Sequence, residues 1–316
     1  MRKFRWLAAL ALVAVIAPAF AQDAGTKLEW KLEPNKTFYQ TMTTTTDQTM
    51  KVMGSDIKQK QEQTFYFSWT PVKKNDDGSW EIKQKIEGVK MRIEIGGQPI
   101  EYDSTKEGGQ TSSALSEFFK QLVGSEFTLT IDKDYKVTSI KGRDEFLKKL
   151  TGANPQMEAL LKQILSEEAL KEMADPTFAA IPNKEVKKDA TWEKSSKLNM
   201  GPIGTYENTY KYTFEGTKDK KTTIKVDTTL KYVPPADNTP SGGLPFKIKS
   251  AELASKNAGG TITFDAEKGR VEESTMKVEM SGKLNIEIGG QTTAVNLDQT
   301  QTTNVKTTDT NPIPKK

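Results

Sequence analysis

The chain reads as a mainly β protein built from long, curved antiparallel sheets, arranged as a sandwich or a half-open barrel, with a helical insert at about residues 112–175. Three observations predict this. Apolar and charged residues alternate at period two on both sides of the insert. A 3.6-residue apolar stripe occurs only within it. Thr, whose branched side chain suits a pleated surface, is abundant in the alternating segments. One-sided alternation belongs to antiparallel sheets with one wet face.

Taken in order, residues 37–53 form a first strand long enough to require twist and curl. Phe65, Phe67 and Trp69 share one face of the next, and Trp80, Ile82 and Ile86 point inward from a third while charges point out. Residues 90–95 continue the alternation to Gly96-Gly97, a turn signal, as Asn75-Asp76-Asp77-Gly78 is before it. Ser112 or Ser113 then caps a helix carrying Leu115, Phe118, Phe119, Leu122 and Val123 on one stripe, closed by Gly124. A hairpin from Phe127 to Val137 precedes a short helix at 143–150. Asn154-Pro155 opens a third helix with Met157, Leu160, Leu161, Ile164 and Leu165 inward, and Ser166 starts a further turn or two. Strand patterns resume at 223–226, 246–249, 260–271 and 277–288. Residues 308–316 are polar, with Pro312 and Pro314, and read as a disordered tail.

The N-terminus predicts export. Arg2, Lys3 and Arg5 precede an apolar run over residues 6–20, and Ala19-Phe20-Ala21 supplies the cleavage pattern of a signal peptide at 1–21. Its removal takes the formal charge from +4 to +1, since three basic residues and no acid leave. The mature protein is expected to be periplasmic or extracellular, with no transmembrane anchor after cleavage. The chain contains no His and no Cys. That excludes Ser-His-Asp and Cys-His catalysis, disulfides, thiolate zinc sites and a lipid anchor on cysteine. Interspersed Lys and Glu leave no phosphate-binding stripe, so no nucleic-acid partner is expected.

The β segments fall into an N-terminal half at 22–180, which carries the helices, and a C-terminal half at 181–307. Pro34-Asn35-Lys36 recurs as Pro182-Asn183-Lys184, and the hairpin at 127–137 resembles that at 260–271, as two related halves would. Chance similarity of Thr/Lys/Ile strands explains these matches equally well. Ile93-Glu94-Ile95-Gly96-Gly97-Gln98 is repeated identically from Ile286 to Gln291 and reads as one hairpin design used twice.

Chemical motifs are sparse. The pairs Asp76/Asp77, Asp132/Asp134 and Glu167/Glu168 fall in turns or at a helix start, where carboxylates serve local hydrogen bonds. Ser55-x-x-Lys58 and Ser274-x-x-Lys277 match a Ser-Lys pattern but sit in strands without companion motifs. No catalytic, cofactor-binding or metal-ligating residue is assigned, and no cofactor is expected.

Phe65-Tyr66-Phe67-Ser68-Trp69, Lys85-Ile86-Glu87-Gly88-Val89, residues 118–130, residues 154–165, Met173-Ala174-Asp175-Pro176-Thr177-Phe178 and Gly242-Gly243-Leu244-Pro245-Phe246-Lys247 carry a resemblance to a family of exported proteins of unknown function, numerous in planctomycete-type bacteria. The resemblance brings no site residues with it. Two readings follow from the residues. The first is an exported, non-enzymatic envelope protein, a structural or protein-binding β module whose helices fill its core, with an envelope protein as partner and no bound lipid. The alternative is a periplasmic carrier of lipid or another apolar ligand in a half-open barrel, lined by Phe65, Phe67, Ile86, Phe118, Leu122 and Leu161.

Overall fold

The computed structural model describes residues 25–106, 114–153 and 155–314, without the side chains of residues 98, 114, 115 and 153. The expected signal peptide at 1–21, the capping serines Ser112 and Ser113, Asn154, the last two residues of the expected tail and the side chain of Leu115 lie outside the described residues.

After β1 (Thr26–Leu28), the strands β2 (Phe38–Val52), β3 (Ser55–Lys74) and β4 (Trp80–Ile95) form a meander, with β5 (Gln98–Asp103) folded back on the far half of β4. Beyond α1 (Ala114–Leu122), β6 (Glu126–Ile131) takes the near half of β4 and pairs with β7 (Val137–Lys141). The helices α2 (Arg143–Ala153), α3 (Glu158–Ile164), α4 (Glu167–Ala174) and α5 (Pro176–Ala179) follow, so helical residues end slightly beyond the expected insert. A second meander comprises β9 (Thr191–Asn199), β10 (Thr205–Lys218), β11 (Lys221–Val233), β12 (Lys247–Asp265), β13 (Arg270–Ile288) and β14 (Gln291–Thr308). β8 (Lys184–Val186) pairs with β1 in a small separate sheet.

The meanders are not separate layers. β14 pairs with β2 along nearly its whole length, so the first long strand meets the last and twelve strands make one antiparallel sheet. Its outermost strands on the main path, β7 and β9, are not paired with each other. The sheet nevertheless curves until both touch α4: the Val137 N–H of β7 donates to Asp175 Oδ1 at 2.8 Å, and the Lys197 N–H of β9 to Glu172 Oε2 at 3.0 Å. A helix is only about 10 Å across, so the edges approach within that span and the enclosed face is concave. This is an open barrel whose seam holds a helix.

The core sits inside one end of that curve. Trp30, Phe38, Trp69, Phe178 and Phe264 interlock, with Phe178 edge-on to Trp69 at 5.2 Å between centroids. The indoles pin the segment after α4: Trp30 Nε1 donates to the Phe178 carbonyl at 3.1 Å and Trp192 Nε1 to that of Ala180 at 3.0 Å. α1 packs on β4 and β5 through Phe119 against Tyr102, and α2 packs through Phe146 against Phe127. Asn35 and Asn183 of the repeated Pro-Asn-Lys turn both adopt left-handed φ, +62° and +49°.

Candidate ligand-binding face

Strand register fixes which side chains share the concave face, because directly paired residues project to the same side. Starting from buried Phe38 and Trp69, the inner row of β2 runs Gln40, Met42, Thr44, Thr46, Gln48, Met50 and Val52. Its neighbours on β3 are Phe67, Phe65, Gln63, Gln61, Gln59 and Ile57. Those on β14 are Thr307, Val305, Thr303, Gln301, Gln299, Leu297 and Val295. Met276, Val278, Met280, Gly282, Leu284 and Ile286 extend the rows onto β13, and Val89, Met91, Ile93 and Ile95 onto β4. None of these side chains is charged. The intervening residues, Lys51, Lys58, Lys60, Glu62, Arg92, Lys277, Glu279, Lys283 and Asp298, all project outward.

The face has three zones. Near the core it is aromatic, with Phe65 and Phe67 stacked at 5.6 Å. A band of Gln and Thr follows, in which Gln61 Nε2 donates to Gln63 Oε1 at 3.1 Å and the Thr44 and Thr303 hydroxyls lie 3.2 Å apart. Toward the hairpin tips it is aliphatic, with Met50, Val52, Leu284, Val295 and Leu297 in adjacent rows. Thr44, Thr46, Gln48, Gln299 and Gln301 of the band and Met50, Val52, Val278 and Leu284 beside it are half-buried and remain accessible, while Met280, Val295 and Leu297 between them are buried. On the opposite wall, burial raises the phenol pKa of Tyr206, Tyr210 and Tyr212, which line the inner face of β10.

The six lining residues named from the sequence fall into two groups. Ile86, Leu122 and Leu161 are buried in the core. Phe65, Phe67 and Phe118 are half-buried against it, with Phe65 and Phe67 at the border of the open face. Under the helices Phe119, Leu160 and Leu161 are buried too, and the accessible surface lies beyond them on the strands. The Gln/Thr band was missed because polar strand residues read as solvent-facing. Its signal was the absence of charge at every second position.

Elsewhere the chemistry is local. Asp77 Oδ1 accepts from the Ser79 N–H and hydroxyl, and Asp132 Oδ1 from the Asp134 and Lys136 N–H groups. Ser274 lies in the inner row and Lys277 on the outer, as residues three apart on a strand must, so that pair forms no dyad. A cavity of about 310 Å³ at the outer end of the core is lined by Trp30, Lys36, Phe38, Pro71, Arg270 and Asp309. There Arg270 and Lys268 clamp the Asp309 carboxylate at 2.6 Å each and hold its pKa down at about 2. Among the described residues no group of acidic side chains is placed to hold a metal ion, and no helix is long and apolar enough to cross a membrane.

No curated protein matches the chain. Among solved structures, one of lipovitellin concerned with lipid–protein interactions is similar at TM-score 0.47 and 12% identity, over 90% of this chain and 26% of that one. The protein thus spans about a quarter of the lipovitellin chain. An outer membrane channel from Pseudomonas putida F1 gives TM-score 0.25 at 8% identity, over 89% and 98% of the two chains. DynF from the dynemicin biosynthesis pathway of Micromonospora chersina gives 0.18 at 8%, over 94% and 92%. None of these likenesses is close enough to carry a function across. The sequence model of a family of unknown function (DUF6263) matches residues 77–271, more than half of the chain, and the protein belongs to that family.

Proposed function

We propose that the mature protein is an exported, non-enzymatic cradle for an elongated, uncharged lipid, bound along the concave face of the sheet. The carrying observation is the segregation of charge: every inner-row side chain of β2, β3, β4, β13 and β14 named above is apolar, Gln, Thr, Ser or Gly, while Lys, Arg, Glu and Asp take the outer rows. Solubility needs only the outer face charged. A Thr/Gln/aliphatic inner face left half-exposed at many positions of β2, β3, β13 and β14 suits an amphipathic occupant, its ester or hydroxyl groups on the Gln/Thr band and its chains on the flanking zones. A carboxylate or phosphate there would lose water without gaining a counter-charge. The cationic head and apolar run at 1–21 support action outside the cytoplasm.

The test is a fluorescence titration of the mature protein with a pyrene-labelled diacylglycerol and, in parallel, a pyrene-labelled fatty acid at pH 8. Saturable binding of the diacylglycerol, at least tenfold tighter than that of the ionised fatty acid, is expected. Absence of saturable binding by either probe returns the protein to the reading of a structural or protein-binding envelope module.

A further inference from the structure

Three hairpins end at the same side of the curved sheet: β2–β3 at Met53-Gly54, β4–β5 at Gly96-Gly97 and β13–β14 at Gly289-Gly290. Each loop has two residues, both at positive φ (+50° and +85°, +59° and +83°, +57° and +84°), the signature of the tight turn that best matches strand twist. The tips are therefore stiff. They are staggered in one direction: β3 continues past the level of Ile95 from Gln59 to Ser55, and β14 continues past Val52 from Val295 to Gln291. Tilted strands in a curved sheet produce such a stagger, and it sets the three tips along one rim.

Apolar residues are left out on that rim. Among the described residues the exposed large hydrophobic side chains are Met53, Ile57, Ile95, Ile288, Val72 and Met173, and only the last two lie away from the tips. Met53 is the sharpest case, 80% exposed at φ +50°. That position favours Gly or Asn for conformation and a polar residue for solubility, so a bulky apolar side chain is unfavourable on both counts for the isolated fold. The flanking charges are mixed, Lys51 opposite Asp56 and Glu287 opposite Lys247, and give no cationic patch. From the rim, Ile57 and Met50 lead directly into the uncharged inner rows.

We infer that this rim is a membrane-contacting edge, where Met53, Ile95 and Ile288 insert among the headgroups of a zwitterionic bilayer and lipid passes between bilayer and sheet. The inference rests on the cradle reading for its purpose but has its own observable. Contact is made by apolar insertion, so it requires no anionic lipid and survives high salt.

The experiment is flotation of the mature protein with phosphatidylcholine vesicles, compared with the double variant Met53→Asp, Ile288→Asp, which leaves the inner-row Ile95 untouched. The wild type is expected to float with the vesicles, equally at 0.1 M and 1 M NaCl, and the variant to lose roughly a hundredfold in partitioning. The positions are exposed, so circular dichroism and thermal midpoint should match the wild type, and diacylglycerol probe binding in detergent-free buffer should be retained. If the wild type binds the probe but does not float, or the variant floats equally well, the rim assignment is overturned and the cradle reading stands. If it floats through these residues but binds no probe, the rim assignment stands and the cradle reading fails. Flotation that needs phosphatidylglycerol and disappears at 1 M NaCl would also overturn it.

Discussion

Glu172 and Asp175, one helical turn apart at the end of α4, accept backbone N–H groups from two strands that never pair: Lys197 of β9 and Val137 of β7. An unpaired edge strand is a template for aggregation. Here one helix end covers both edges and holds the sheet in its curve.

Asp175 predicts a pH effect with a definite sign. Burial raises its carboxyl pKa above the ordinary value of 3.8, against the opposing Val137 hydrogen bond. The folded protein therefore binds that proton more tightly than the unfolded chain. The contribution is complete below pH 3.8 and is lost as pH rises through the raised value. Asp175→Asn keeps the acceptor without the charge and should match or exceed wild-type stability at pH 7, the difference shrinking toward pH 3. Asp175→Ala leaves the Val137 N–H unpaired and should cost about 1–3 kcal/mol in urea unfolding.

Phe178 tests whether the segment after α4 is core. It is fully buried between Trp30 and Trp69. Phe178→Ala should destabilise by about 3–5 kcal/mol, measured by denaturant unfolding, because rings on both sides prevent collapse of the cavity.

Two glycines should respond in opposite directions. Gly282, at φ +152° in the inner row of β13, would place a Cβ 2.0 Å from the Glu252 carbonyl oxygen, and backbone cannot step aside cheaply. Gly282→Ala is expected to cost roughly 1–3 kcal/mol. Gly152 lies in α2 with open space around its Cα, and Gly152→Ala should gain about 0.5–1 kcal/mol. Thermal melts of the two variants check both.

Asp309 governs a different pH range. Its pKa is lowered to about 2 by Arg270 and Lys268, so its contribution is present above pH 3.8 and lost as pH falls toward 2. The carboxylate is 56% exposed, and solvent screening holds the effect to at most about 1 kcal/mol. Asp309→Asn should therefore lower stability slightly at pH 6 and not at pH 2, as acid titration of unfolding would show.

Local patterns carried most of the fold. The repeated Ile-Glu-Ile-Gly-Gly-Gln makes the same hairpin twice, with φ at the two glycines agreeing within about 2°, because a Gly-Gly pair between alternating strands leaves little choice. The stripe containing Phe119 and Leu122 gave α1 for the same reason of short range. The single sheet was hidden, because the pairing of β2 with β14 joins residues such as Gln40 and Thr307 from opposite ends of the chain. So was the uncharged face. Each strand shows its own alternation, but bulges such as that between Tyr66 and Phe67 reset the phase, and only the register aligns all the uncharged rows. Phe65 and Phe67 mark the border of that face, whereas Ile86, Leu122 and Leu161 went to the core.

Whether a lipid sits on the uncharged concave face is decided by one pair of variants on β2. Thr46 is half-buried in the inner row between Gln61 and Gln301, while its neighbour Thr45 is exposed on the outer face. Diacylglycerol probe binding is measured for Thr46→Lys and Thr45→Lys after thermal melts show both folded. Thr46→Lys is expected to weaken binding tenfold or more while Thr45→Lys leaves it unchanged. Equal binding by the two variants would contradict that placement.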